Sequence, residues 1–289
     1  MADAQVRSTI NGQVAPPDEL YGTAEHSFEP LSEEGRHISE ELYWAEYYNH
    51  LDFNYEWNDG RLEIKPVSDY AQYQLYLWFI TLLKDFLHVH PIARMIGLEM
   101  GFRMKLPRKT TIRKPDLGMV LQNNPIPLAD KDRSYKGIFD LCIESLSDSK
   151  KKEVQRDTVT KKLEYAAAGV QEYYILDEQE TESAFYRLSP GGLYQPIAPQ
   201  NGIIESKILP GFRWRIADLY TLPEPPQMIA DPVYSSFVSP YFRAERLYAE
   251  QEHERAEQER ERAEQERERA ERYAARLRSL GIAVDDSPA

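Results

Sequence analysis

Two acidic residues near the middle of the chain have neighbours that could support metal-dependent chemistry. Asp116 follows a proline in "RKPDLGMVLQ", residues 113–122, and Glu144 lies within "FDLCIESLSDS", residues 139–149. A proline fixes the backbone before Asp116, so an ordinary turn acid at a strand entrance is one interpretation. Glu144 lies in an apolar, strand-like segment, where burial of an unpaired carboxylate would be costly. We therefore expect Glu144 at a strand end or beside a cation.

Carboxylates that converge from neighbouring strands suggest a particular reaction. Such a pair is a common ligand set for Mg²⁺, which prefers oxygen ligands and retains several waters. In phosphodiester hydrolysis the ion polarises a phosphoryl oxygen and activates water, while a nearby lysine stabilises the developing charge. The two acids could therefore support metal-dependent phosphodiester hydrolysis, provided that the fold brings them together.

The surrounding patterns predict a mixed α/β domain that could position these acids. Asn58-Asp59-Gly60 is a strong hairpin signal between two alternating segments. A long apolar helix follows over residues 70–90, and strands are predicted over 93–104 and 114–122, with the basic stretch between them as a loop. After the Glu144 strand, a helix ends at Gly169, a favoured C-terminal capping residue.

The ordered set of motifs resembles the Uma2-type (DUF820-like) family of the PD-(D/E)XK nuclease superfamily. The similarity spans roughly residues 38–222 and rests on "FNYEWNDGRLEI", "RKPDLGMV", "LCIESLS", "AAAGVQEYYILD" and "ILPGFRWRIADLY". It implies an α/β, restriction-endonuclease-like fold: a mixed β-sheet core flanked by helices. It also implies metal binding by Asp116, Glu144 and the carbonyl of Ser145, with Glu56 as an upstream acid that reaches the metal.

The catalytic lysine of the superfamily is displaced in this sequence. It would fall at position 146, which is Leu146 here. The family resemblance implies a substitute from the following helix, which by register is Lys161. However, if the apolar face centred on Leu163 packs on the sheet, Lys161 points outward and Lys162 lies nearer the edge. The orientation of this helix therefore decides whether Lys161 reaches the acids.

A histidine that the family often carries at the start of the long helix is absent. Gln72 and Tyr73 are the polar alternatives in this neighbourhood, and the sequence does not choose between them.

Basic residues cluster around both acids. Residues 100–115 contain six Lys or Arg and no acid. We expect Arg113, Lys114, Lys150 and Lys151 to contact DNA phosphates, because such contacts neutralise backbone charge without reading sequence. Solvated surface residues are the alternative interpretation.

Composition divides the chain into segments. The net charge is −13, but much of the acidity lies near the two ends. We predict a disordered acidic segment at 1–37, a nuclease-like domain at 38–225, a proline-rich linker at 226–240, a charged helix at 241–280 and a tail at 281–289. In the helix, alanine recurs every seven residues without a second apolar position, so it is a poor coiled-coil seam. A solvated single helix and a weak self-association or partner helix both remain open.

The leading hypothesis is a metal-dependent DNA endonuclease, expected as a homodimer because cutting both strands of a duplex often needs two sites. A catalytically inactive nuclease fold that binds or scaffolds through the C-terminal helix is the alternative, and a helix-mediated assembly protein is a third. A single cysteine, no apolar run of 18 residues and no leader-like N-terminus predict a cytoplasmic protein without membrane contact.

Overall fold

The computed structural model describes residues 31–97, 100–146 and 151–280. Most of the predicted disordered N-terminal segment, the basic residue Lys150 and the tail at 281–289 lie outside the described residues. The described helices, in chain order, are α1 (Glu40–Leu42), which continues as a π-helical turn (Tyr43–Tyr47), α2 (Tyr70–Val89), α3 (Lys151–Gln155), which continues through a π-helical turn (Arg156–Lys161) into α4 (Lys162–Ala168), α5 (Asp218–Thr221), α6 (Pro225–Ile229) and α7 (Pro240–Ser279).

The strands form a mixed architecture of separate sheets. They are β1 (Tyr55–Asn58), β2 (Arg61–Ile64), β3 (Ala93–Ile96), β4 (Phe102–Lys105), β5 (Thr110–Arg113), β6 (Leu117–Leu121), β7 (Leu141–Ser145), β8 (Glu172–Leu176), β9 (Ala184–Leu188), β10 (Tyr194–Pro196), β11 (Ile203–Glu205) and β12 (Arg213–Arg215). The strand orders are β2-β1-β5-β4, β10-β9-β8-β7-β6-β3 and β11-β12. Neighbouring strands are antiparallel except for β7 and β8, which are parallel. The predicted mixed sheet core with flanking helices is confirmed.

The β1–β2 hairpin forms where the sequence predicts it. Its turn residues Asp59 and Gly60 both have positive φ, 49° and 89°. A two-residue hairpin turn of this kind requires positive φ at both central positions, which Asp-Gly tolerates. The hairpin pairs Glu56 with Glu63, and it carries both residues towards the interior.

The basic stretch after β4 is not the long loop that its charges suggested. Its second half is strand β5, which pairs with β4 on one side and β1 on the other. Consecutive β-branched residues at 110–112 favour a strand, and this local preference prevails over the charge count. Only the turn closed by Leu106 and Lys109 connects β4 to β5.

Strand β7 is buried on both faces, and its alternating side chains contribute to two different cores. Leu141 and Ile143 pack in a cluster with residues of α2, such as Phe79. Cys142 faces a second cluster, which contains Tyr165 of α4. Because side chains alternate along a strand, Glu144 lies on the same face as Cys142 and is directed towards the α3–α4 helix.

The predicted proline-rich linker at 226–240 is part of the folded domain, so that interpretation is wrong. Met228, Val233, Tyr234 and Phe237 are buried in the same cluster as α2. Apolar residues spaced through the proline-containing stretch anchor it to the core. The predicted long charged helix then follows as α7, whose described side chains from residue 251 onward are nearly all exposed. No helix among the described residues is both long enough and apolar enough to cross a bilayer.

Candidate active site

The first element of the site is the pairing of β6 with β7. The ladder pairs Leu117 with Ile143, so Asp116, one residue before β6, lies beside Glu144 near the end of β7. Asp116 Oδ2 accepts a hydrogen bond of 2.7 Å from the backbone N–H of Ser145. The side chain of Asp116 is 23% exposed. The structure therefore places the two predicted acids beside each other at the ends of neighbouring strands, with Asp116 partly exposed.

Glu144 is held by two partners inside the domain. Glu144 is buried, with only 1% of its surface exposed. Tyr165 donates its hydroxyl to Glu144 Oε1 over 2.7 Å, and Lys161 Nζ lies 2.9 Å from Oε2. Burial raises the pKa of Glu144 to about 7, although Lys161 and Lys65 act in the opposite direction.

Lys161 points into the site, contrary to the orientation expected from the apolar residues of its helix. Leu163 is 61% exposed, whereas Lys161 is 1% exposed, so Leu163 does not centre the buried face. The buried face instead carries polar residues, including Asp157 and Glu164. A π-helical turn over 156–161 alters the angular register before α4, and charged partners in the interior compensate the buried lysine.

The ammonium of Lys161 is shared among three carboxylates. It lies 2.9 Å from Glu144 Oε2, 2.9 Å from Asp157 Oδ1 and 3.5 Å from Glu56 Oε1. Burial alone would lower the pKa of Lys161, but the three acids raise it above its ordinary value. Lys161 is therefore a permanent positive charge at the site.

Glu56 lies at the back of the site on β1. It is fully buried and accepts hydrogen bonds from Arg113 Nη1 at 3.0 Å and from the backbone N–H of Lys114 at 2.8 Å. Burial would raise the pKa of Glu56, but the charges of Lys161 and Arg113 outweigh it and hold that pKa well below the usual range. The structure thus connects Glu56 to Lys161 rather than directly to Asp116.

Sequence reasoning missed Lys65. This residue follows β2, and its Nζ donates to Asp116 Oδ1 over 2.8 Å and to the carbonyl of Lys114 over 2.6 Å. The sequence does place Lys65 directly after the hairpin that carries Glu56. No local pattern, however, distinguishes this residue from an ordinary surface lysine.

Gln72 is the polar residue of α2 that contacts the site. Its Nε2 donates to Ser145 Oγ at 2.7 Å and to the carbonyl of Leu176 at 3.0 Å, while Tyr73 is half exposed. The structure therefore chooses between the two alternatives that the sequence left open.

A family model described as "Uma2: Putative restriction endonuclease" matches residues 40–218, more than half of the chain. The chain belongs to the Uma2 family. A solved structure described as "a putative nuclease belonging to DUF820 from Anabaena variabilis ATCC 29413" is similar at 16% identity and a TM-score of 0.46, over 58% of this chain and 89% of that chain. No curated protein matches the sequence.

Leu146 occupies the position where the sequence comparison with the superfamily expected a lysine. Its side chain is buried in the cluster that contains Cys142 and Tyr165. A lysine there would have to place its ammonium among apolar groups, which is costly without a partner. An ammonium instead reaches Glu144 from the helix that follows, where Lys161 Nζ lies 2.9 Å from Oε2.

The basic residues near the acids have different surroundings from those expected. Arg113 is fully buried among acids, and Lys114 donates to the carbonyl of Tyr48 at 2.7 Å and to Asn54 at 3.0 Å. Both side chains are interior, so the structure does not support phosphate contacts by them. The charge of Arg113 compensates buried carboxylates instead. Lys151 is exposed at the start of α3 and stays a predicted phosphate contact.

Asp116 and Glu144 are the carboxylates that would hold the Mg²⁺ or Mn²⁺ ion that the family resemblance implies. Within residues 31–97, 100–146 and 151–280, no group of three or more His, Cys, Asp or Glu side chains is placed to share an ion. Mg²⁺, however, is commonly held by one or two carboxylates together with waters and substrate oxygens. Asp116 and Glu144 supply such a pair, and both already face ammonium groups, of Lys65 and Lys161. The two acids therefore fit Mg²⁺ or Mn²⁺ in number and chemistry.

Proposed function

We propose that this chain is a metal-dependent DNA endonuclease that hydrolyses phosphodiester bonds, with Asp116 and Glu144 as ligands of Mg²⁺ or Mn²⁺. One observation carries the proposal: two neighbouring strands and a helix bring Asp116, Glu144 and Lys161 into a single cluster. Membership in the Uma2 family supports a nuclease. In this proposal the carbonyl of Ser145 is a further oxygen ligand, and Glu56 supports the site through Lys161.

Each side chain has a task that follows from its contacts. The bound ion would supply polarisation of the phosphoryl oxygen and an activated water. Lys161, charged and held by acids, stabilises negative charge that develops on the phosphate. Tyr165 fixes the orientation of Glu144 through its hydroxyl. Because Asp116 is the exposed member of the pair, the substrate approaches from its side.

The proposal also covers the substrate, the cellular compartment and the oligomeric state. The proposed substrate is duplex DNA in the cytoplasm, and cleavage of both strands calls for a homodimer. Lys150 and Lys151, which follow β7, are the proposed phosphate contacts beside the acids. A protein partner on α7 is a separate proposal that the activity does not require.

The test is cleavage of supercoiled plasmid in Mg²⁺ or Mn²⁺ by the full chain and by Asp116→Asn, Glu144→Gln and Lys161→Met. Each substitution removes a charge while keeping the approximate shape, and we expect a loss of about 100-fold or more in rate. The exposed residue Lys105 provides a matched control, since Lys105→Met should cut like the wild type. Circular dichroism would verify that every variant is folded.

Two outcomes would contradict the proposal. Equal cutting by the wild type and all three site variants would mean that these residues do not carry the activity. Absence of cutting by the folded wild type, on duplex DNA, single-stranded DNA and RNA, would instead favour the catalytically inactive binding module.

A further inference from the structure

Lys65 is a second lysine of the acid pair, with a role distinct from that of Lys161. Its side chain is 5% exposed. The ammonium has two hydrogen-bond acceptors, Asp116 Oδ1 at 2.8 Å and the carbonyl of Lys114 at 2.6 Å. Among the described residues, Asp116 is the one acid that Lys65 contacts, whereas Lys161 contacts three.

The position of this ammonium conflicts with a metal ion on the same carboxylate. Mg²⁺ binds an oxygen ligand at about 2.0–2.1 Å, and the Lys65 ammonium is already in contact with Oδ1. The other oxygen, Oδ2, is engaged by the backbone of Ser145. A divalent cation and an ammonium on one oxygen repel each other strongly in a partly desolvated site.

We propose that Lys65 is a positioning residue that holds Asp116 and competes with the metal ion for its carboxylate. This inference rests on the proposed function, because it requires Asp116 to be a metal ligand. Lys65 stabilises the metal-free site by neutralising Asp116, and it leaves Oδ1 when the ion binds. Free metal therefore binds weakly, and the phosphate of the substrate supplies the additional negative charge that makes binding favourable.

Lys161 does not share this role, since its ammonium is retained by Asp157 and Glu56 even when Glu144 turns to a metal ion. Among the described residues, Asp116 is the one acid within ion-pair distance of Lys65. The two lysines are thus expected to respond differently to substitution. Loss of Lys161 removes a charge needed by the reaction, whereas loss of Lys65 removes a competitor of the ion.

The experiment is isothermal titration of Mn²⁺ into the full chain without DNA, so that binding is measured independently of cleavage. We expect Lys65→Met and Lys65→Gln to bind Mn²⁺ about tenfold more tightly than the wild type, which corresponds to about 1.4 kcal/mol. Lys105→Met should bind like the wild type, and Asp116→Asn should lose binding. Two neutral replacements are used because glutamine can still donate to the Lys114 carbonyl if methionine disturbs folding.

The outcomes separate this inference from the proposed function. Unchanged or weaker Mn²⁺ binding in the folded Lys65 variants, with binding lost in Asp116→Asn, would overturn the competition and leave the endonuclease proposal intact. A purely structural lysine gives that result. Absence of Mn²⁺ binding in every folded variant, including both Lys65 variants, would overturn the inference together with the metal-dependent function.

Discussion

Lys161 and its three acids set the electrostatics of the site at the scale of single residues. One ammonium cannot neutralise three buried carboxylates, and Arg113 already compensates Glu56. Burial raises the pKa of Glu144 to about 7, because the nearby charges of Lys161 and Lys65 offset only part of the cost of desolvation. The charge that Glu144 lacks in the metal-free protein is the charge that a metal ion would restore.

Metal binding should consequently release a proton. The folded pKa of Glu144 is raised to about 7, so the carboxyl is mostly protonated below that pH and must ionise to bind an ion. Affinity for Mn²⁺ should rise with pH through the region near 7 and level off above it. Titration calorimetry near pH 6, in buffers with different ionisation enthalpies, should detect up to about one proton released.

Glu144→Gln is the control for this proton, since it removes the titrating group and should remove the release. The raised pKa of Glu144 has the opposite effect on the stability of the metal-free protein: stability falls as pH rises, whereas metal affinity increases. Because the folded pKa exceeds the unfolded one, the metal-free protein should lose stability as pH rises between the ordinary glutamate value and about 7. Metal affinity that does not change with pH near 7 would contradict the assignment of Glu144.

At the scale of elements, β5 joins the hairpin to the helix that carries Lys161. Arg113 at its end donates to Glu164 of α4 at 2.6 and 3.0 Å, and to Glu56 of β1 at 3.0 Å. It also pairs with Glu63 of β2. One buried guanidinium thus connects three strands and a helix, and it fixes the distance between Glu56 and the α3–α4 helix.

Removing this guanidinium should destabilise the domain strongly. Arg113→Met removes the guanidinium that three carboxylates share, and breaking a buried pair in this way typically costs about 3–5 kcal/mol in the free energy of unfolding. Arg103 on the neighbouring strand β4 is the matched control. Its pair with Glu40 is solvent-exposed, so Arg103→Met should cost at most about 1 kcal/mol. Urea denaturation measures both, and equal effects would mean that the buried network is not required.

At the scale of the whole molecule, α7 is an appendage to the domain. Its 40 residues correspond to a rod of about 60 Å. Pairs such as Arg267 with Glu271 at 3.2 Å support it, each contributing about 0.2–0.5 kcal/mol. The exposed seam of single alanines lacks the second apolar position of a dimeric coiled coil.

Removal of residues 251–289 should therefore leave the domain unchanged. We expect the free energy of unfolding to stay within about 0.5 kcal/mol and the molecular mass of the assembly, corrected for the truncation, to correspond to the same oligomeric state. Urea denaturation and analytical ultracentrifugation would measure these quantities. A drop to a smaller assembly would contradict this expectation and support the helix-mediated association that the sequence left open.

Several features followed from the sequence by itself because their causes are local. The Asp-Gly turn specifies the β1–β2 hairpin, apolar periodicity specifies α2, and continuous charge with alanine spacing predicts the long helix α7. Asp116 and Glu144 could be singled out as candidate ligands because proline, acid and apolar strand occur in a recognisable order. Lys161 could be chosen by its place in the family pattern. The sequence did not predict that its side chain points into the site.

Tertiary structure decided which charges lie inside. Lys65 and Asp116 are 51 positions apart, as are Arg113 and Glu164, and only the packing of the hairpin, sheet and helix brings their atoms together. A lysine or arginine is expected at the surface unless a distant carboxylate compensates its desolvation. The sequence could therefore identify acids that fit a metal ion, whereas the fold determined that Lys161 contacts Glu144, that Lys65 contacts Asp116, and that Arg113 is buried among acids.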